Sequence, residues 1–159
     1  MNLYGKITID GLDAFQEFGL LRVKNGSLND WLTFPERKQP LTHDWKDEDG
    51  IEVDLDNVFL KEKNVSLPMI LVANSSEQFW TNYNNLLTLL TTAGTRDIYF
   101  WELQQRFDVY YTKCDNVSKP TKLRGTNKIV VNMTLHFVIP TGQFSGIDYM
   151  KIGTDFIVS

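Results

Sequence analysis

Seven carboxylates crowd the stretch from His43 to Asp56: Asp44, Asp47, Glu48, Asp49, Glu52, Asp54 and Asp56, with Lys46 as the one cation among them. Carboxylates this dense could hold a hard cation, so calcium is the first chemistry to test. Asp47, Asp49 and Gly50 match positions three, five and six of an EF-hand loop, and Asp56 falls at position twelve. Position one would then be Trp45, which has no ligand oxygen, and position twelve is ordinarily a bidentate Glu. A β-type alternation also begins at Ile51, where an EF-hand needs a helix to start. The stretch therefore reads as a solvated acidic loop.

The remaining reactive side chains are sparse. The chain has two histidines, His43 in the polar loop and His136 on the polar face of a strand pattern. A lone strand histidine is ordinarily structural. The single Cys114 has no neighbouring Cys or His to share a zinc ion. It cannot form an internal disulfide, which is consistent with a reducing compartment. There is no Gly-x-Ser-x-Gly, P-loop or dinucleotide fingerprint. The sequence thus predicts no catalytic residues, no metal and no cofactor, and an enzyme is not the expected class.

Charge placement says more. Against the acidic stretch stands a basic one, with Lys113, Lys119, Lys122, Arg124 and Lys128 facing Asp115 alone. Two solvated loops would account for this. The sharper account is head-to-tail contact, the acidic loop of one subunit meeting the basic loop of the next, which closes into a ring. On that account Asp47, Glu48, Asp49, Lys119, Lys122 and Arg124 are subunit-contact candidates. Trp31, Phe34 and Trp45 join them, because aromatic residues in a long loop need something to cover them. Packing on their own sheet is the equally open alternative.

Composition bounds the class. A chain of 159 residues suits one domain with a sizeable core. A net charge of −4 and a pI near 5.1 disfavour a general nucleic-acid binder. The N-terminus lacks an apolar run of signal-peptide length, and no stretch approaches a transmembrane span.

These residues must be positioned by a mostly β framework. Strand patterns are expected at Tyr4 to Ile9, Phe18 to Lys24, Ile51 to Leu60, Val65 to Leu71, Asp97 to Trp101, Arg106 to Lys113 and Lys128 to Ile139. Pro68 puts its strand at an edge or a bulge. Residues 25–50, broken by Pro35 and Pro40, read as a long loop with a short helical turn around Ser27 to Trp31. One helix is well marked over about 75–93. Ser75 is a suitable N-cap, Gln78 completes a capping box, and Gly94 suits C′. Phe79, Tyr83, Leu86, Leu87 and Leu90 form its apolar stripe, which is expected to pack on the core. The prediction is an α+β, mostly β fold: a β-sandwich or split barrel of about seven or eight strands flanked by one helix. It would occupy residues 1–140, and 141–159 would be a C-terminal arm or tail.

The order of elements resembles a known family. A loop ending in Glu48-Asp49-Gly50 leads into VFLKEKNVSLPMILV, then a helix with Phe-Trp and Leu-Leu before Gly94, then the hairpin DIYFWELQQRFDVYYTK and a long last strand. Over roughly Gly5 to Pro140 this resembles the N-terminal part of siphophage distal tail proteins, and more broadly the tail-tube and baseplate-hub fold. The resemblance implies a structural subunit of a phage, prophage or phage-like injection apparatus, placed in the virion tail and assembled in the bacterial cytoplasm. It implies hexameric rings around a DNA channel, with neighbouring tail or baseplate proteins as partners and no membrane. DNA would pass without specific binding, since acidic linings repel phosphate. Distal tail proteins often carry a further carbohydrate-binding-like domain, for which this chain is too short, and that departure weakens the distal-tail assignment relative to a tube protein or another minor tail component. The alternative is a small β-sandwich binding module, for carbohydrate for example. It would need exposed aromatic and polar groups converging on one concave face.

Overall fold

The computed structural model describes residues 5–23, 28–122 and 125–141. The long strands β6 (Lys63–Ala73) and β10 (Ile129–Ile139) pair antiparallel along their whole length, from Lys63 with Ile139 to Ala73 with Ile129. Their alternation places Leu67 opposite Leu135, Met69 opposite Met133 and Leu71 opposite Val131, all buried. This is the period-two pattern read from the sequence, and it forms the floor of the core.

The other strands extend that floor on both sides. They are β1 (Ile7–Ile9), β2 (Leu12–Asp13), β3 (Leu20–Arg22), β7 (Arg96–Phe100), β8 (Gln105–Asp115) and the short β9 (Thr121–Lys122). The order across the sheet is β2-β1-β7-β8-β10-β6-β3, with β9 added beside β10. β8 joins the two halves: Gln105 to Val109 pair with β7, and Tyr110 to Asp115 pair with β10. One sheet therefore curls into a half-barrel, so the split-barrel form of the expectation describes it better than two stacked sheets.

Among the described residues three helices accompany the sheet: α1 (Ala14–Phe18), which was not expected, α2 (Asn29–Leu32), at the short helical turn expected around Ser27 to Trp31, and α3 (Ser76–Leu90), the long helix. α1 begins where Asp13 accepts from the N–H groups of Phe15 and Gln16. It ends at Gly19, whose φ of +66° is a left-handed cap. A Cβ there would lie 2.1 Å from the carbonyl oxygen of Val72, so the position also needs the missing side chain. α3 starts as predicted: Ser75 accepts from the N–H of Gln78, and the Gln78 side chain accepts from the N–H of Asn74. It stops earlier than predicted, at the C-cap Thr91, and Gly94 serves the following turn instead. Its apolar stripe divides. Phe79, Leu86 and Leu90 are buried, whereas Tyr83 and Leu87 stay partly exposed at the border of the covered face.

Two expectations fail in one place. Residues 25–50 are not a loop throughout, and Ile51 to Leu60 is not a strand of the main sheet. Instead β4 (Thr42–His43) pairs with β5 (Glu52–Val53), and further back Arg37 bridges Leu60. Together they make a two-stranded ribbon. Its returning strand carries two more residues than its partner between those paired regions, and a turn in which Asp54 accepts from the N–H of Asp56 lies within them. The alternation of Ile51 to Leu60 thus has no sheet to face. The Pro68 expectation fails, for its strand is neither an edge nor bulged: Pro68 stays in register with Thr134. β6 is interior, but the Pro68 carbonyl accepts from Val23 just past the end of β3, so the missing N–H faces the side where pairing stops. Tyr4, and the expected arm beyond Thr141, lie outside the described residues.

Candidate interaction surface

The base of the ribbon is anchored by Trp31. Its side chain is fully buried, edge-on to Phe100 at 4.8 Å and Phe107 at 5.0 Å, and its indole N–H donates to the Ser66 carbonyl at 2.8 Å. Trp31 thus fills the curl of its own sheet, and its position fits self-packing rather than subunit contact. Beside it, the Lys63 ammonium donates to the carbonyls of Trp31 and Thr33. Desolvation lowers the Lys63 pKa from its ordinary value, against an opposing pull from Asp30.

Beyond this anchor the chain is uncovered. From Thr33 to Glu62 not one residue is buried. Beyond Thr33, which is tied to Asn29 and Lys63, the hydrogen bonds described for the segment stay within it, with Lys38 to Phe59, Lys61 to Glu36 and Asp54 to Leu41 joining its strands. Yet it carries large apolar side chains, with Phe34 90%, Leu41 79%, Phe59 66% and Leu55 61% exposed. Trp45 stacks on His43 at 4.4 Å and donates to Glu52 at 2.9 Å, leaving one ring face open. Asp47, Glu48 and Asp49 form the exposed tip, where the chain turns through Gly50 at φ +75°. An isolated two-stranded hairpin is marginal in water.

Of the basic candidates, Lys119 and Lys122 are exposed beside the start of β10, and Arg124 lies outside the described residues. Lys122 is paired with the buried Ile129, which places it on the concave side of the sheet. The sequence reading missed what adjoins them. Between α3 and the sheet runs an apolar groove of about 180 Å³, lined by Tyr83, Leu87 and Leu90 of α3, Tyr111 and Cys114 of β8, and Met133 of β10. Burial raises the Tyr111 and Cys114 pKa values, with Cys114 and Asp115 respectively adding to the effect. The partial exposure of Tyr83 and Leu87 is the trace of this groove in the α3 stripe.

On the outer face a serine, a histidine and two aspartates gather. Ser66 and His136 are cross-strand partners. The Ser66 hydroxyl donates to Asp30 at 2.8 Å, while His136 Nε2 meets Asp115 at 2.8 Å. Each is engaged with a carboxylate rather than with the other, so the nucleophile–base contact of a hydrolase is not made. Among the described residues no group of three or more His, Cys, Asp or Glu is placed to hold a metal, and no helix is long and apolar enough to cross a membrane.

No protein-family model matches the chain, and no curated protein matches it in sequence. In structure it is similar to the crystal structure of the SPP1 Dit protein (gp 19.1), described as a paradigm of the hub adsorption apparatus in phages that infect Gram-positive bacteria. The match has a TM-score of 0.54 at 14% identity and covers 84% of this chain but 49% of that one. The chain thus spans about half the length of Dit. The order of elements in the sequence and the three-dimensional comparison point to one fold, the one seen in the SPP1 Dit protein.

Proposed function

We propose that this chain is a non-enzymatic structural subunit of a phage tail or phage-like injection apparatus. It self-associates into a hexameric ring around a channel through which DNA passes. The ring then stacks on neighbouring tail or baseplate proteins. The fold shared with Dit supports the setting. The observation that carries the reading is the ribbon from Thr33 to Glu62, uncovered along its length and apolar at Phe34, Leu41, Leu55 and Phe59. A monomer gains nothing from leaving such side chains in water, whereas a ring covers them on every subunit.

The acidic tip Asp47, Glu48 and Asp49, with Trp45 behind it, supplies contacts toward Lys119, Lys122 and Arg124 of a neighbour. The net negative charge keeps transiting DNA from adhering, because like charge opposes phosphate contact. Native mass spectrometry and light scattering of the chain test the reading. A closed oligomer, with sixfold rings by electron microscopy, is expected. A strict monomer at high concentration overturns it.

A further inference from the structure

The ribbon joins the body of the molecule at one root. The chain leaves α2 at Thr33 and returns at Lys63, the first residue of β6. Among the described residues, the hydrogen bonds that tie the stretch from Thr33 to Glu62 to the rest of the chain all lie here. The Thr33 N–H and hydroxyl donate to the Asn29 carbonyl, and the Thr33 carbonyl accepts from Lys63.

Lys63 is the side chain that crosses from one leg of the ribbon to the other. Its ammonium donates to the carbonyl of Trp31 at 3.0 Å and to that of Thr33. Both carbonyls stand at the end of α2, where no following helical turn supplies an N–H, and a lysine is suited to take them up. α2 itself is pinned to the body. Trp31 is fully buried and donates to the Ser66 carbonyl, and Asp30 accepts from the Ser66 hydroxyl. The ribbon is not pinned, since no residue from Phe34 to Glu62 is buried. A small rotation at the root is therefore carried to the tip.

We propose that Lys63 is the latch of a hinge at the ribbon root, a positioning residue that fixes the direction in which the ribbon projects. With the ammonium on the two carbonyls, the outgoing and returning legs are locked to α2. Without it, the ribbon keeps its own cross-strand bonds and turns as a unit about Thr33 and Glu62. The latch opens without unfolding the body, because Trp31 and Ser66 still hold α2. The hinge belongs to a single copy of the chain and does not depend on self-association.

Pulsed electron–electron spin resonance tests it on the dilute chain. Nitroxide labels are placed at Glu48→Cys, on the exposed tip, and at Asn85→Cys, on the exposed side of α3, in a Cys114→Ala background. The parent is expected to give one narrow distance distribution. Lys63→Met keeps an unbranched stem without the ammonium and should broaden the distribution by about twofold or more, whereas Lys63→Arg, which restores charge and donors, should narrow it again. A parent distribution already as broad as that of Lys63→Met overturns the latch, and so does a Lys63→Met distribution as narrow as the parent's. Broadening that comes with a general loss of circular dichroism and is not reversed by Lys63→Arg overturns it too. If Lys63→Met does not fold, Lys63→Gln is read by the same criteria.

Discussion

Arg22 and Glu102 meet at 2.6 Å across the curl of the sheet. Arg22 ends β3, the last strand on one side, while Glu102 sits in the β7–β8 turn on the other half. The Arg22 side chain is 4% exposed. Removing Glu102 takes this carboxylate from a buried guanidinium, which is more damaging than never having the pair. Glu102→Ala is expected to lower stability by about 2–3 kcal/mol, read from the urea midpoint. Arg22→Met in the same background should recover part of that loss.

Gly19 is held by geometry rather than by flexibility. A side chain there meets both a left-handed φ and the Val72 carbonyl at 2.1 Å. Gly19→Ala is expected to destabilise by about 2–4 kcal/mol, measured by thermal or urea unfolding. Gly11→Ala, at a similar φ but with open space around it, should be milder.

Asp97 gives the fold a defined pH dependence. Burial raises its pKa, Arg106 opposes the rise, and Asp108 and Asp10 add to it. The folded state therefore holds the proton more tightly than the unfolded one. Asp97 contributes most below the unfolded value of about 3.9, and that contribution is lost as pH rises through the folded pKa. In paired unfolding curves, the stability of Asp97→Asn relative to wild type should improve upward from about pH 4 and then level off. A constant difference at every pH would contradict the assignment.

Burial, with Asp115 beside it, raises the Cys114 pKa. Only the thiolate is alkylated. Dilute folded protein should react with iodoacetamide more slowly than a free thiol at neutral pH. The reaction should accelerate on unfolding in urea, as followed by mass spectrometry.

Much of the framework was legible. The alternation of Ile129 to Ile139 named every inward side chain of β10, and Ser75 with Gln78 marked the start of α3. Such patterns are local, because strand and helix each repeat within a few residues. The ends of elements were less legible. Gly94 looked like a cap, but α3 closes at Thr91, where the hydroxyl of Thr91 donates to the Leu87 carbonyl. The stretch Ile51 to Leu60 misled for a different reason. Its alternation is genuine, but alternation says that one face is apolar and not which surface covers it.

By itself the sequence determined that the chain is mostly β with one long amphipathic helix, and that its acidic and basic segments are separated along the chain. Those properties follow from side-chain type and short-range repetition. The tertiary structure alone decided which aromatic residues belong inside. Trp31 and Phe34 stand three positions apart, yet one is fully buried and the other 90% exposed. Phe100, Phe107 and Phe137, which surround Trp31, come from strands distant in the chain. Only the curl of the sheet brings them together, and it leaves no such cover for the ribbon that follows.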